Sequence, residues 1–252
     1  MSDARFADRV AVVTGGAEGL GRAIAARLLA EGARVHLWDR NSDLAERTAA
    51  SLRAQGGEAM ARAVDVADEA SVEAAVSSVL AAEARLDVLV NSAGIVGPTN
   101  TPTQDTPVEG YRQVLDVNLT GSFLVTRFAL PPMRTAGYGR ILLIASVAGK
   151  EGNAGMCAYS SAKAGVIGLA KAAGKEVAGT GVTVNALAPA VIRTSMVDAM
   201  PEAQVKYMTA KIPMGRCGTL DEVASLACWI VSSEASFNTG AVFDLSGGRA
   251  TY

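Results

Sequence analysis

The stretch VAVVTGGAEGLGRAIAARLLA, residues 10–30, decides the fold. It opens on the apolar run VAVV at 10–13, a composition that suits a buried strand. It then turns through Gly15, Gly16, Gly19 and Gly21 into GRAIAARLLAEG at 21–32, where apolar side chains recur at helical spacing. Glycines at a strand-to-helix turn let the backbone approach a pyrophosphate. The free N–H groups and the dipole of the helix start then stabilise the negative charge. The spacing is Gly-x-x-x-Gly-x-Gly rather than the commoner Gly-x-Gly-x-x-Gly. Alone, such a turn fits either a dinucleotide site or a tightly packed corner. At the head of an alternating chain it points to the dinucleotide.

That alternation runs from end to end. Apolar strand candidates are VAVV at 10–13, ARVHLW at 33–38, AMARAV at 59–64, LDVLV at 86–90, RILLIAS at 140–146, VTVNALA at 182–188 and AVFDLS at 241–246. Helical patterns lie between them, such as SVEAAVSSVLAAEARL at 71–86 and DEVASLACWIVSSEA at 221–235. Apolar strands alternating with amphipathic helices predict an α/β fold, a parallel sheet covered on both faces. The right-handed crossover rule makes it a doubly wound, Rossmann-type sheet. With 252 residues and no repeat, linker or low-complexity tract, the chain reads as one domain, 1–252. GPTNTPTQDTP at 97–107 reads as a surface loop near the ligand crevice. The segment 195–214 breaks the alternation and reads either as an adaptable flap over the substrate or as a fixed connecting helix.

Half the residues are apolar and 19% are charged, with a net charge of −2. That balance offers no electrostatic footprint for nucleic acid or an anionic membrane. The first residues lack a basic, apolar leader, no apolar run reaches the roughly 20 residues of a membrane span, and the end matches no anchor. A soluble cytoplasmic protein is expected. Cys157, Cys217 and Cys228 share no CxxC spacing and fit reduced thiols. His36 is the single histidine and sits in an alternating strand pattern, so neither a histidine-rich metal site nor a Ser-His-Asp triad has raw material. No metal is expected, and proton transfer must use another group.

Tyr159-Ser-Ser-Ala-Lys163 supplies one, with Ser146 upstream. A tyrosine holds its proton to a pKa of about 10. A lysine ammonium one helical turn away favours the phenolate and is expected to draw that pKa towards neutrality. Such a tyrosine can exchange a proton with an alcohol oxygen. Alone, the pair also fits a half-buried aromatic beside a solvated lysine. Asp39 ends the second strand, where a carboxylate can accept both adenosine ribose hydroxyls and repel a 2′-phosphate. Glu18, inside the glycine turn, adds negative charge. Both favour NAD over NADP. Arg40 and Arg22 are the counterweights, each able to reach a 2′-phosphate or simply solvent.

TGGAEGLG at 14–21, Asp65-Val66, NSAG at 91–94, Asn118, Ser146, the Tyr159/Lys163 pair and PAVIRT at 189–194 resemble, in this order, the motifs of the short-chain dehydrogenases/reductases. The resemblance covers essentially the whole chain. It implies a seven-stranded Rossmann-type sheet with NAD(P) across the strand ends. By this resemblance Gly15, Glu18, Gly19, Leu20 and Gly21 form the phosphate turn. Asp65 meets the adenine amino group, with Val66 offering its backbone, though Asp65 also suits a helix N-cap. Asn91 supports the central strands, and Ala93 and Gly94 line the adenosine ribose; NSAG also reads as a simple turn. Pro189 closes the sixth strand, and Ile192 and Thr194 hold the nicotinamide carboxamide. Two departures from the family pattern stand out: Ser92 replaces an asparagine, and Ala190 replaces a glycine, where its methyl group narrows the pocket.

The implied chemistry is hydride transfer between an alcohol and the nicotinamide. Tyr159 is the acid/base, Lys163 lowers its pKa and anchors the nicotinamide ribose, and Ser146 holds the substrate oxygen. Asn118, in the helical stretch YRQVLDVNLTGSF at 111–123, holds a water that relays protons from Lys163, or else is a buried polar residue bending its helix. Loops over the strand ends set the substrate, through Val96, Lys150, Glu151, Asn153, Met156, Val191 and Arg193. Lys150 and Arg193 can pair with a carboxylate and Asn153 with a hydroxyl, as suits a sugar acid or polyol; equally, they read as solvated loop charges. The small residues Ala158, Ala162, Ala164, Gly165 and Gly168 suit close helix packing, as in the family's homotetramers. The expected reaction is NAD-dependent oxidation of a small polar secondary alcohol. The alternative is NADPH-dependent reduction of a 3-oxoacyl thioester, since the overall pattern and the end SGGRATY most resemble bacterial members called 3-oxoacyl-carrier-protein reductases, a label that sugar and keto-acid dehydrogenases often share. A nucleotide-binding regulator without catalysis is a third class, disfavoured by the intact Ser146, Tyr159 and Lys163.

Overall fold

The computed structural model describes residues 4–252, apart from the side chains of Met196 and Gln204. Seven parallel strands form one sheet: β1 (Val10–Thr14), β2 (Arg34–Asp39), β3 (Ala59–Ala63), β4 (Val88–Asn91), β5 (Gly139–Ile144), β6 (Val182–Pro189) and β7 (Val242–Leu245). Their order is β3-β2-β1-β4-β5-β6-β7. The chain walks outward from β1 to β3, then returns to the other side of β1 with β4. A crevice therefore opens at the carboxyl ends of β1 and β4, where Thr14 lies in register with Asn91.

Ten helices are described: α1 (Gly19–Ala30), α2 (Ser42–Arg53), α3 (Glu69–Glu83), α4 (Val108–Leu115), α5 (Gly121–Ala136), α6 (Ala148–Glu151), α7 (Cys157–Val177), α8 (Ser195–Asp198), α9 (Glu202–Thr209) and α10 (Leu220–Ile230). The sequence dictates the layering through a period of two. In β1, Val10 and Val12 enter the core under α3, α5 and α7, while Ala11 and Val13 enter the core under α1, α2 and α10. In β5, Ile141 and Leu143 face the first layer, and Leu142 and Ile144 the second. Strands covered on both faces need apolar residues at every position, which is why the central runs are continuous. The edge strands β3 and β7 are only partly buried and carry polar residues.

Helix starts follow capping chemistry. Asn41 caps α2, accepting from the Leu44 amide at 3.0 Å. Asp68 caps α3 through the amides of Ala70 and Ser71. Thr219 and Glu222 form a capping box on α10. The predicted helix at 221–235 is α10 followed by a short 3-10 turn at Ser233–Ala235. The 195–214 segment contains two short helices, α8 and α9. No described helix is long and apolar enough to cross a membrane.

Candidate active site

The glycine turn is built for close approach. Gly15 and Gly19 adopt left-handed φ values of +60° and +55°. A Cβ on Gly21 would lie 2.1 Å from the Gly15 carbonyl oxygen, so only glycine lets α1 start this close to the turn. By contrast, nothing lies within 4 Å of a Cβ at Gly19, which borders open space. Glu18, with Leu20 two residues on, stands at the N-cap of α1 without capping it. The first-turn amides are therefore left for an anion, as a dinucleotide pyrophosphate requires.

Asp39 sits at the end of β2, half-buried, with its carboxylate held in place by two amides. Oδ2 accepts from Ala17 N–H at 3.3 Å and Oδ1 from Asn41 N–H at 3.0 Å. Asp65 is not the cap of α3; that position belongs to Asp68. Asp65 instead accepts from the Ala67 amide at 2.9 Å, and the buried Val66 packs against Gly121.

Nor is Asn91 part of a simple turn. It is the buried last residue of β4. Its Oδ1 accepts from Thr14 Oγ1 at 2.5 Å, and its Nδ2 donates to Ser122 Oγ at 2.8 Å. Ser122 Oγ then donates to the Asn118 carbonyl at 2.5 Å, and Thr14 Oγ1 accepts from the Ala93 amide. One buried hydrogen-bonded chain thus links the glycine turn to Asn118. Thr14 and Ser122 went unread in the sequence. Threonine at a strand end and serine four residues after Asn118 are the only signals, and both are common.

Asn118 lies in a single π turn, Asp116–Thr120, between α4 and α5. Its side chain is fully engaged by one neighbour: Oδ1 accepts from Ile95 N–H and Nδ2 donates to Ile95 O, each at 2.8 Å. The extra residue in the turn disrupts the regular ladder, a feature that recurs at functional sites.

Ser146 follows β5, and its Oγ accepts from the Ala148 amide at 3.1 Å. Gly149 lets this segment lie flat on α7, since a Cβ there would meet the Lys163 backbone at 2.5 Å. Tyr159 and Lys163 share one face of α7, the ammonium 5.7 Å from the phenol ring centre. Lys163 Nζ donates to Ile144 O at 2.7 Å, and a Cβ on Gly94 would fall 3.6 Å from Nζ and 3.1 Å from Asn118 Oδ1. Ser146, Tyr159, Lys163, Asn118 and Gly94 therefore converge at one end of the sheet.

The electrostatics differ from the sequence expectation in one respect. Burial pushes the Tyr159 phenol up, while the facing Ser146 hydroxyl pulls it down. Burial also pulls Lys163 down to about 8. In the protein alone desolvation outweighs the lysine's pull, because the ammonium points to a backbone carbonyl rather than to the phenol oxygen.

Beyond β6, Pro189 accepts from the Val147 amide, which ties the Ser146 loop to the sixth strand. Ile192 is buried and bridges to Gly218, and Thr194 precedes α8. Arg193 is exposed and paired with Asp198 at 2.8 Å. Lys150 is nearly buried and bound to Asp244 Oδ2 at 2.7 Å, and Asn153 Oδ1 accepts from Arg249 at 2.9 Å. Both cations have a carboxylate partner, Lys150 in a nearly buried pair and Arg193 in an exposed one. His36 is structural, pairing with Glu83 at 3.1 Å, and burial holds it below its usual pKa.

A family model described as short chain dehydrogenase matches residues 9–205. The chain belongs to the short-chain dehydrogenase family. Among short-chain dehydrogenases and their relatives it is 49% identical over 248 residues to 2-dehydro-3-deoxy-L-rhamnonate dehydrogenase (NAD(+)) of Sphingomonas sp. (strain SKA58), covering 98% of each chain. It is 36% identical to the 3-oxoacyl-acyl-carrier-protein reductase FabG of Salmonella typhimurium, covering 96% of this chain and 98% of that one. The solved structure of NAD+-bound xylitol dehydrogenase superposes with a TM-score of 0.91 at 31% identity, covering 96% of this chain and 99% of that one.

Proposed function

We propose that this short-chain dehydrogenase is an NAD-dependent enzyme that oxidises a small polar secondary alcohol, a sugar or sugar-derived acid. The observation that carries the reading is the pairing of Tyr159 and Lys163 on α7 beside Ser146, at the sheet end where the glycine turn opens. Asp39 supports NAD: amides fix its carboxylate at the end of β2, where a 2′-phosphate would meet its charge. The relative that acts on a deoxy sugar acid with NAD(+) and the structural neighbour named for xylitol support the substrate class.

Bound NAD supplies the hydride acceptor. Gly15, Glu18, Gly19, Leu20 and Gly21 bind its phosphates, Asp39 its ribose, Asp65 and Val66 its adenine, and Ala93 and Gly94 line the path, with Asn91 fixing the strand end. Pro189, Ile192 and Thr194 hold the nicotinamide end. Ser146 holds the alcohol oxygen, and Tyr159 takes its proton. Lys163 binds the nicotinamide ribose and supplies positive charge. The Asn118 side chain is committed to Ile95, so a relay water meets its carbonyl, which keeps a second lone pair beside Ser122. The chain acts as one domain, with 195–214 as the substrate flap, and it works as a cytoplasmic homotetramer in carbohydrate metabolism.

A screen of NAD reduction over sugars, sugar acids, hydroxy acids and simple alcohols tests this. Turnover is expected with a polyol or sugar acid, and NAD should be preferred over NADP. Reaction only with 3-oxoacyl thioesters and NADPH would overturn both the substrate class and the role of Asp39.

A further inference from the structure

Two sets of side-chain contacts outside the hydride-transfer machinery lie beside Ser146 and Tyr159. Lys150, in α6 just after Ser146, is 7% exposed and sits 2.7 Å from Asp244 Oδ2 in β7. Tyr252 donates its hydroxyl to the Lys150 carbonyl oxygen and places its ring 4.9 Å from the same ammonium. Arg249, only 10% exposed, donates from Nε to Glu151 Oε2 and from Nη2 to Asn153 Oδ1, each at 2.9 Å. Asn153 in turn donates its amide to Ser160 Oγ at 3.0 Å, and Ser160 follows Tyr159 directly. The stretch 150–153, between Ser146 and Tyr159, is therefore held by residues about a hundred positions away.

The same tail also holds the base of the 195–214 segment. Met214 N–H donates to Gly247 O at 3.1 Å. A Cβ on Gly247 would lie 2.6 Å from Ile212 Cγ2, so the Ile212 side chain packs directly on the Gly247 backbone. Ser246 Oγ closes the intervening turn by accepting the Ala250 amide at 3.1 Å. A guanidinium fork with two acceptors and little solvent around it fixes direction as well as distance.

We propose that residues 244–252 form a positioning clasp for the substrate side of the active site, with Arg249 as its positioning residue. Arg249 sets the placement of Asn153 and, through Ser160, of the loop facing Tyr159. Lys150 then serves as an anchor of the clasp, and substrate meets the loop it holds. The kinetic part of this inference rests on the proposed alcohol oxidation; the structural part does not.

Hydrogen exchange by mass spectrometry on the full chain is the test, comparing wild type with Arg249→Met and Arg249→Lys. In Arg249→Met, amides of 147–156 and 212–215 should exchange about tenfold faster or more, while those of 10–30 stay unchanged. Arg249→Lys should recover part of the protection, since an ammonium can keep one of the two contacts. With NAD and 2-dehydro-3-deoxy-L-rhamnonate as probe, the sugar-acid KM should rise about tenfold, with kcat and the NAD KM within about twofold. Unchanged exchange in 147–156, or an equal rise in 10–30, would overturn the clasp. If Arg249→Met does not fold, Tyr252→Ala applies the same criteria at the exposed end of the tail. Absence of turnover in wild type would count against the functional reading alone, because the exchange result still decides the clasp.

Discussion

Tyr159 and Lys163 pull the chemistry in opposite directions when no ligand is bound. Burial keeps the phenol protonated and makes the ammonium easier to deprotonate. Alcohol oxidation needs the phenolate, so its rate should climb with pH, whereas ketone reduction should favour lower pH. Tyr159→Phe should lower turnover about 10²–10⁴-fold, the usual worth of a positioned acid/base, while NAD binding measured by fluorescence titration stays nearly unchanged. Lys163 also has a signature in stability. Its folded pKa of about 8 lies below the 10.5 of a free lysine, so the unfolded chain binds more protons between those values. Stability attributable to Lys163 therefore rises with pH across that window and is flat below it. Relative to Lys163→Met, wild type should gain about 3 kcal/mol between pH 8 and 10.5 in urea unfolding. At this scale the residue identities were legible in the sequence and the direction of the tyrosine shift was not. Spacing puts the ammonium on the right helix face, but its aim at Ile144 O depends on how α7 packs against the end of β5, a tertiary contact that spacing does not show.

Elements were legible where periodicity or glycine chemistry carried them. The strand–turn–helix at 10–30 needed only local information, and Gly21 shows why: its missing Cβ is demanded by the carbonyl of Gly15, six residues earlier. Gly21→Ala must push α1 off the turn, so the KM for NAD should rise at least tenfold while the far-ultraviolet circular dichroism stays native. The region 111–123 reads as one helix because its apolar positions keep helical spacing. A single π turn adds a residue without disturbing that pattern enough to show. Its cost is offset by the two hydrogen bonds between Asn118 and Ile95, both tertiary and hence invisible in the sequence. Asn118→Ala strands the Ile95 N–H and C=O in a partly buried place. It should cost about 1–2 kcal/mol in chemical denaturation, and it should slow turnover more than it weakens NAD binding.

For the whole molecule, the alternation of strands and helices was enough to give the sheet, because a doubly wound topology needs only short, right-handed connections. Contacts between distant charges followed no such rule, which is why Lys150 read as a free cation although Asp244 and Tyr252 hold it. The small residues of α7 divide in two. Ala158 and Ala162 are buried within the chain against Val114, whereas Ala164 and Gly168 are exposed. On the neighbouring helices Val108 and Phe123 are exposed as well, at 63% and 45%. Away from these helices, Phe237 is fully exposed in the loop before the edge strand β7. The Val108 and Phe123 face and the Phe237 loop are two of several exposed apolar sites, and isologous contacts at both would close a dihedral tetramer. Light scattering after size exclusion should give four times the 25.8 kDa chain mass for the wild type. Phe123→Asp and Phe237→Asp should each give dimers, and the two together a monomer that still binds NAD, since neither residue belongs to the cofactor crevice. A wild-type monomer would remove the tetramer, and a tetramer that survives both substitutions would place its interfaces elsewhere.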